Sequence, residues 1–158
     1  MKSNLRRLAR ARFLLLSGAV LVSGAALSGA EATQQRADVL EAIHRVENPN
    51  DTARPGRHGE LGPYQFRRST WRMHTDEPFA QAVDRAAADA VAIRHYEWIE
   101  RGLERNGLAA TPYNIALAWN GGLRAAVQGR SSAAARNYAE RVNNLVQEMR
   151  AEQLAVLH

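Results

Sequence analysis

The sequence predicts a single, mainly α-helical domain with one irregular segment near residues 48–66. Three observations support this class. Apolar residues recur at helical spacing along most of the chain, residues 48–66 are instead rich in Asn, Pro, Gly and Arg, and no strand-rich region or internal repeat is present. The 158 residues include no Cys. The domain is therefore expected to depend on its hydrophobic core rather than on disulfides.

The first 30 residues have the pattern of a cleaved export signal. Basic residues precede an apolar run from Phe13 to Leu27, and small residues around Ala30 then offer cleavage sites. The run is shorter than the roughly 20 residues that a membrane-spanning helix needs. We therefore predict a signal peptide at 1–30, a mature domain at 33–158, export to the periplasm or cell wall, and no stable membrane span after cleavage.

The net charge depends largely on this signal. The chain has 21 basic and 16 acidic residues, a net charge of +5. Cleavage after Ala30 would remove five basic residues and no acidic one, which leaves 16 of each. A balanced mature domain gives little support to nucleic-acid binding, and we predict none.

The first helix of the mature domain is predicted over residues 36–47. Its apolar residues follow helical spacing, and Pro49 ends it; they are Val39, Leu40, Ile43 and Val46. Glu47 lies at the edge of that buried stripe, in the last turn. Residues 48–66 are predicted as a long loop with a short hairpin or bend around Gly59 to Phe66.

Two helices are predicted in the middle of the chain. Ser69 or Thr70 can cap a short helix that carries Trp71 and Met73. The segment Asp76-Glu-Pro78 is a typical helix start, and the apolar pattern continues from there to about Leu103. Asn106-Gly107 should end this long helix.

Two further helices complete the domain. Thr111-Pro112 should open a helix that runs to Asn120, and Gly121-Gly122 should end it. Ser131 or Ser132 should start the last helix, whose apolar face includes Tyr138 and Met149. Trp71 and Trp119 are expected in the core, with Trp71 close enough to the loop to reach a cleft.

Glu47 is the strongest candidate for catalysis. Burial at the edge of the core and the negative end of the helix dipole both disfavour its charged form. A Glu with a raised pKa can donate a proton to a leaving group near neutral pH. A Glu in the last turn of a helix is also often only solvated, so the surrounding residues decide between these two interpretations.

Three sequence blocks surround Glu47 in a recognisable order. They are Ala42-Ile-His-Arg-Val-Glu-Asn-Pro-Asn50, Gly59-Glu-Leu-Gly-Pro-Tyr-Gln-Phe66, and Ala116-Leu-Ala-Trp-Asn-Gly-Gly122 with Tyr138 behind it. Together they resemble the lysozyme-like superfamily, most closely its soluble lytic transglycosylases. The Gly-Pro-Tyr-Gln segment is also similar to that of invertebrate-type lysozymes.

This resemblance implies a lysozyme-like α+β fold and a set of site residues. Glu47 would be the general acid and then the base, and Tyr138 would place its phenol near that carboxyl. The substrate-binding residues would be Gln65, Tyr64, Asn120, Tyr138 and Gly62. The implied partner is the glycan strand of peptidoglycan, cleaved at the β-1,4 bond between N-acetylmuramic acid and N-acetylglucosamine. We expect a monomer without a cofactor. The five His residues show no metal-binding spacing, so no metal site is predicted.

Two departures from the family pattern leave the reaction open. Asn48 replaces the usual Ser after the Glu, and Gly121-Gly122 replaces Ala-Gly. Asp51 and Glu60 are the only other acids near the turn. A site in which Glu47 is the one well-supported carboxylate favours a transglycosylase that forms 1,6-anhydro-muramyl ends. A lysozyme-type hydrolase, which normally uses two carboxylates, and a non-catalytic peptidoglycan-binding protein with a degenerate site are the alternatives.

Overall fold

The computed structural model describes residues 23–156, and these form a mainly helical domain. The predicted helical class is confirmed. No strand occurs in the described range, where the β-type pairing is an isolated bridge between Leu61 and Phe66. The helices are α1 (Ser23–Glu47), α2 (Arg68–Arg72), a 3-10 helix (Phe79–Val83), α3 (Arg85–Glu104), α4 (Pro112–Gly121), α5 (Leu123–Val127) and α6 (Ala133–Val156).

The core forms where α4 packs against α6 and where α1 packs against α6, α3 and α4. Helix α4 is short and strongly apolar, and it buries Ile115 and Ala116 completely. Small Ala side chains on α4 and α6 let these helices approach closely. The result is that the C-terminal ends of α1 and α4 lie near the first two turns of α6, where Tyr138 approaches Glu47 and Ala135 approaches Gly121.

Helix α1 has the predicted C-terminal end and buried face, but it begins earlier than predicted. Val39, Leu40 and Ile43 are buried, and the helix ends at Glu47. The helix starts at Ser23 rather than at residue 36. Residues 1–22 of the predicted signal peptide lie outside the described residues, and residues 23–30 form the first turns of α1.

The prediction of one long helix from Asp76-Glu-Pro78 to about Leu103 is wrong over its first third. Residues Phe79–Val83 form a 3-10 helix, and α3 begins only after Asp84, whose carboxylate accepts a hydrogen bond from the Ala87 N–H at 2.8 Å. Asp favours this capping position over a helix interior, so the chain breaks there. Val83 and Ile93, which belong to the apolar pattern on which the long helix was predicted, are exposed.

The cap of the short helix was also predicted incorrectly. Helix α2 begins after Arg67 without a side-chain cap, so Ser69 and Thr70 lie inside it. Met73 lies beyond its end and is exposed. Trp71 is buried as expected, and its indole N–H donates to the Glu77 carbonyl at 2.8 Å.

The later helix boundaries follow their predicted signals. Helix α3 ends just before Asn106-Gly107, the Thr111 hydroxyl accepts from the Asn114 N–H at the start of α4, and Gly122 follows α4 with a φ of 85°. The Ser132 hydroxyl accepts from the Ala135 N–H at the start of α6. Helix α5 was not predicted.

The predicted bend in the loop is a tight turn seated on the 3-10 helix. Leu61 and Phe66 exchange two backbone hydrogen bonds, and between them the Gln65 N–H donates to the Gly62 carbonyl at 3.1 Å. Gly62 has a φ of 76°, and a Cβ there would lie 1.6 Å from the Ala82 carbonyl oxygen. Only glycine combines this backbone conformation with this close approach.

Within residues 23–156, none of the helices combines the length and the apolar character that a membrane crossing requires.

We predict that Gly62→Ala destabilises the domain by about 3 kcal/mol. The left-handed conformation costs a side chain roughly 1–2 kcal/mol, and displacing the Ala82 backbone adds about 1–3 kcal/mol. Urea unfolding would measure the loss. Gly59→Ala is the matched control, because Gly59 has a φ of 80° but no atom lies within 4 Å of the point that a Cβ would occupy. Equal losses in the two variants would contradict the close packing at Gly62.

Candidate active site

A groove of about 630 Å³ lies between the C-terminal ends of α1 and α4, the segment 56–70 and the middle of α3. Four of the predicted site residues line it: Glu47, Tyr64, Gln65 and Asn120. Glu47 is the last residue of α1, and Asn120 lies at the end of α4, where it is exposed. The packing of α1 and α4 therefore brings together residues that are 73 positions apart (from 47 to 120).

The carboxyl of Glu47 is largely withdrawn from water. Burial raises its pKa above the ordinary value. The negative charge of Glu60 acts in the same direction, whereas the Tyr138 hydroxyl and the positive charge of Arg141 act against it. Burial dominates, so the protonated form of Glu47 persists to higher pH than that of a solvated Glu.

Tyr138 lies behind Glu47 rather than on the groove wall. The side chain is buried on α6, and its hydroxyl makes no hydrogen bond of standard geometry with another described atom. Burial and the neighbouring Glu47 charge raise the pKa of this phenol. The Tyr138 side chain faces the Glu47 carboxyl, as predicted, but from the protein interior, and although Tyr138 was also predicted to bind substrate it does not line the groove.

Asn48 holds the turn against the end of α1. Its buried side-chain amide donates to the carbonyls of Thr52 at 3.0 Å and Gly62 at 3.2 Å, and its oxygen accepts from the Thr52 N–H at 3.0 Å. Leaving such buried partners unsatisfied would cost about 1–3 kcal/mol. Asn48 thus supplies a structural link between Glu47 and the turn.

Gln65 and Gly62 lie on the same turn, but of the two only Gln65 lines the groove. Gln65 lines the groove with a φ of 44°, a strained conformation for a residue with a side chain, and its amide donates to the Gly62 carbonyl at 2.9 Å. Such strain typically costs about 1–3 kcal/mol and often marks a functional position. Gly62 was predicted to contact the glycan but is buried against Ala82 and does not line the groove.

Glu60 adds a second carboxyl to the groove. The His58 N–H donates to it at 2.8 Å, and this hydrogen bond holds its pKa below the ordinary value, with further help from the charges of His58 and Arg67. The pKa values of Glu47 and Glu60 are therefore shifted in opposite directions. Asp51, the other acid considered from the sequence, does not line the groove and contacts His44.

A polar network fixes the hydroxyl of Tyr64. The hydroxyl donates to Asp89 at 2.6 Å, and Arg85 in turn donates to Asp89 at 2.9 Å and to His44 Nδ1 at 3.1 Å. Burial and the Asp89 contact raise the pKa of Tyr64. Tyr64 is 3% exposed and its hydroxyl is engaged with Asp89, so it forms part of the supporting wall of the groove.

The sequence did not reveal His95 and Trp119 as parts of the groove wall. Their rings meet edge to face with centroids 4.8 Å apart. His95 Nδ1 and His74 Nε2 share a hydrogen bond of 3.0 Å. Burial lowers the pKa of His95 to about 4, so its ring is neutral at neutral pH. The position of His95 four residues after Val91 on the buried face of α3 was the available signal.

No cluster of three or more His, Asp or Glu side chains suited to a metal ion occurs in the part of the chain that the structure describes. Comparisons with family models, curated proteins and solved structures give no match to this chain. The geometry and chemistry of the groove are therefore the basis for assigning a function.

We predict that Glu47→Gln stabilises the folded domain at neutral pH. The unfolded chain releases the Glu47 proton near the ordinary pKa of 4.5, whereas the folded chain retains it to higher pH. Stability therefore falls as pH rises from the unfolded to the folded pKa, and the variant escapes this loss. Thermal unfolding should show a higher midpoint for the variant at pH 7 and no difference at pH 3.

The matched control is Glu41→Gln on the same helix, with the opposite expected sign. Burial raises the pKa of Glu41, but the hydrogen bond from Arg45 and nearby positive charges outweigh it, so the net shift is downward. This carboxylate contributes stability above the unfolded pKa, and its removal should lower the midpoint at pH 7. A shift of the unfolding midpoint in the same direction in both variants at pH 7 would contradict the burial of Glu47.

Proposed function

We propose that this protein is a lytic transglycosylase with a lysozyme-like α+β fold that cleaves the glycan strands of peptidoglycan. The observation that carries the proposal is the withdrawn carboxyl of Glu47, whose pKa is raised, on the wall of a groove. The order of the three sequence blocks around that residue adds independent support. A protein that only binds glycan has no need for a proton donor in this setting.

In the proposed reaction, Glu47 acts first as an acid and then as a base. Its proton passes to the oxygen of the β-1,4 bond between N-acetylmuramic acid and N-acetylglucosamine as the bond from that oxygen to C1 breaks. The substrate acetamido group can stabilise the oxocarbenium-like centre. The C6 hydroxyl of the N-acetylmuramic acid then attacks C1 of the same residue and returns its proton to Glu47. This step forms a 1,6-anhydro end without consuming water.

The groove offers the two kinds of contact that a sugar chain requires. Trp119 is partly exposed on the groove wall and packs on the buried rings of Tyr64 and Phe66, with Tyr64 and Trp119 centroids 6.1 Å apart. The apolar face of a sugar can pack on the ring of Trp119. The amides of Gln65 and Asn120 line the same groove and can bond hydroxyl and acetamido groups.

Glu60 supports hydrolysis as a second candidate reaction. Two carboxyls in one groove with pKa values shifted apart are typical of a glycosidase acid and its ionised partner. In that reaction Glu60 would activate water or stabilise the charged centre, and the product would have a reducing end. The hydrogen bond from the His58 N–H already engages one oxygen of Glu60, and the positive charge of Arg67 lies 3.6 Å from the other, which favours a supporting role over direct chemistry.

The proposed substrate lies outside the cytoplasm. The export signal predicted at the N-terminus is consistent with action in the periplasm or cell wall. We propose that the mature chain acts there as a monomer and without a cofactor.

We predict that Glu47→Gln reduces the release of muropeptides from purified sacculi by about 10²–10⁴-fold, the usual contribution of a general acid. Mass spectrometry of the products from the unaltered protein should show anhydro ends. Reducing ends, heavier by one water, would identify a hydrolase instead. Glu140→Gln, on the exposed face of α6, is the matched control and should release normal amounts. Full activity of Glu47→Gln, or none from the unaltered protein, would refute the proposed function.

We predict that Glu60→Gln moves the alkaline limb of the pH–kcat profile to lower pH. The Glu60 charge raises the pKa of Glu47, so its removal lets Glu47 lose its proton earlier. Tyr138→Phe should move the same limb to higher pH, because the phenol lowers the pKa of Glu47. A loss of more than about 100-fold in Glu60→Gln at every pH would instead assign Glu60 to the chemical step.

A further inference from the structure

A second cavity of about 620 Å³ adjoins the groove. It is lined by His58, Gly59, Arg67, Arg68, Ser69 and Phe79. His58, Arg67 and Ser69 also line the groove, so the two spaces meet along this edge. We call the second space the arginine cavity. A glycan strand lying in the groove would therefore have the arginine cavity beside it.

The arginine cavity is lined by cationic groups and by no carboxylate. Arg67 contacts Glu60, but the 3.6 Å separation is too long for a hydrogen bond and leaves its donors available. Neither Arg68 nor Arg57, which lines the adjoining groove, makes an ion pair with any residue in the range 23–156. The balanced overall charge of the mature domain hides this local excess of positive charge.

Arg68 is held in place before any ligand arrives. Its guanidinium carbon lies 5.0 Å from the centroid of the Phe79 ring, and Phe79 is buried. A guanidinium over an aromatic face is attracted by the ring and loses part of its freedom. Less conformational entropy is then lost when the guanidinium engages a ligand, which strengthens binding.

We propose that the arginine cavity is a subsite for a carboxylate carried by the glycan strand. This inference rests on the proposed function, since it assumes a strand in the groove. Guanidinium groups pair with carboxylates through two parallel hydrogen bonds, and Arg67 and Arg68 are adjacent in the chain at this edge. Muramic acid supplies such a group, either as its free lactyl carboxylate or through an attached peptide. Glycans of N-acetylglucosamine alone carry none, so the subsite selects charged wall strands over neutral polymers.

The test measures binding without cleavage, in the Glu47→Gln protein. Isothermal titration calorimetry would compare peptide-bearing strands, strands stripped of peptide, and neutral N-acetylglucosamine oligomers of equal length. We expect charged strands to bind about tenfold more tightly than neutral ones, with the preference shrinking as salt screens the charges. The tighter of the two charged strands identifies the source of the carboxylate.

Arg68→Gln on this background should reduce the preference about five- to tenfold, the effect of losing one charged hydrogen-bonding group. Arg68→Lys keeps the charge and should retain part of the preference and its salt dependence. Arg72→Gln is the matched control, because Arg72 is exposed on the same short helix and lines neither space. The Arg68 variants would first be compared with the control by circular dichroism, and Arg68→Lys carries the test if Arg68→Gln unfolds.

Equal affinity for charged and neutral strands, no binding of any strand, or identical behaviour of Arg68→Gln and Arg72→Gln would overturn the subsite. Failure of the unaltered protein to cleave sacculi would overturn the proposed function instead. The two results are separate, since the titration uses a variant that does not depend on turnover.

Discussion

The hydrogen bonds of the Asn48 side chain connect the two parts of the groove that the proposed reaction requires to be close to each other. One part is the last turn of α1, which ends at Glu47, and the other is the turn that begins at Gly62. The Asn48 amide reaches the Gly62 carbonyl from a buried position, where an unsatisfied partner would be costly. The position of Gln65 relative to Glu47 depends on this link, and so does the width of the groove between them.

The turn is also held by contacts with the 3-10 helix and with α3. Gly62 touches the backbone at Ala82, and the Tyr64 hydroxyl is bound by Asp89 on α3. The turn is thus held by α1, by the 3-10 helix and by α3 at once. Three independent attachments explain how Gln65 can be kept at a positive φ, since an unsupported loop would relax to a conformation of lower energy.

The electrostatics of the groove follow from packing rather than from the number of charges. Helices α1, α4 and α6 pack against one another, and this packing removes Glu47 from water and places Tyr138 behind it. Glu60 remains on the loop side, where a backbone N–H stabilises its charge. One carboxyl is thereby favoured in its neutral form and the other in its ionised form, although both are Glu. The same edge of the groove leads into the arginine cavity, where the local charge is positive.

The sequence by itself determined the helical class, the end of α1 at Glu47, the bend in the loop, and the boundaries set by Thr111 and Gly122. These features depend on local physics, namely apolar periodicity, capping and the restrictions of Pro and Gly. The break at Asp84 was missed because its cap competes with an apparent helix start upstream. Only the tertiary structure decided that Gly62 packs on Ala82, that Glu60 faces Glu47, and that the imidazole of His95 lines the groove. Each of these depends on which distant segments meet, and a residue's spacing along the chain does not reveal its neighbours across the core.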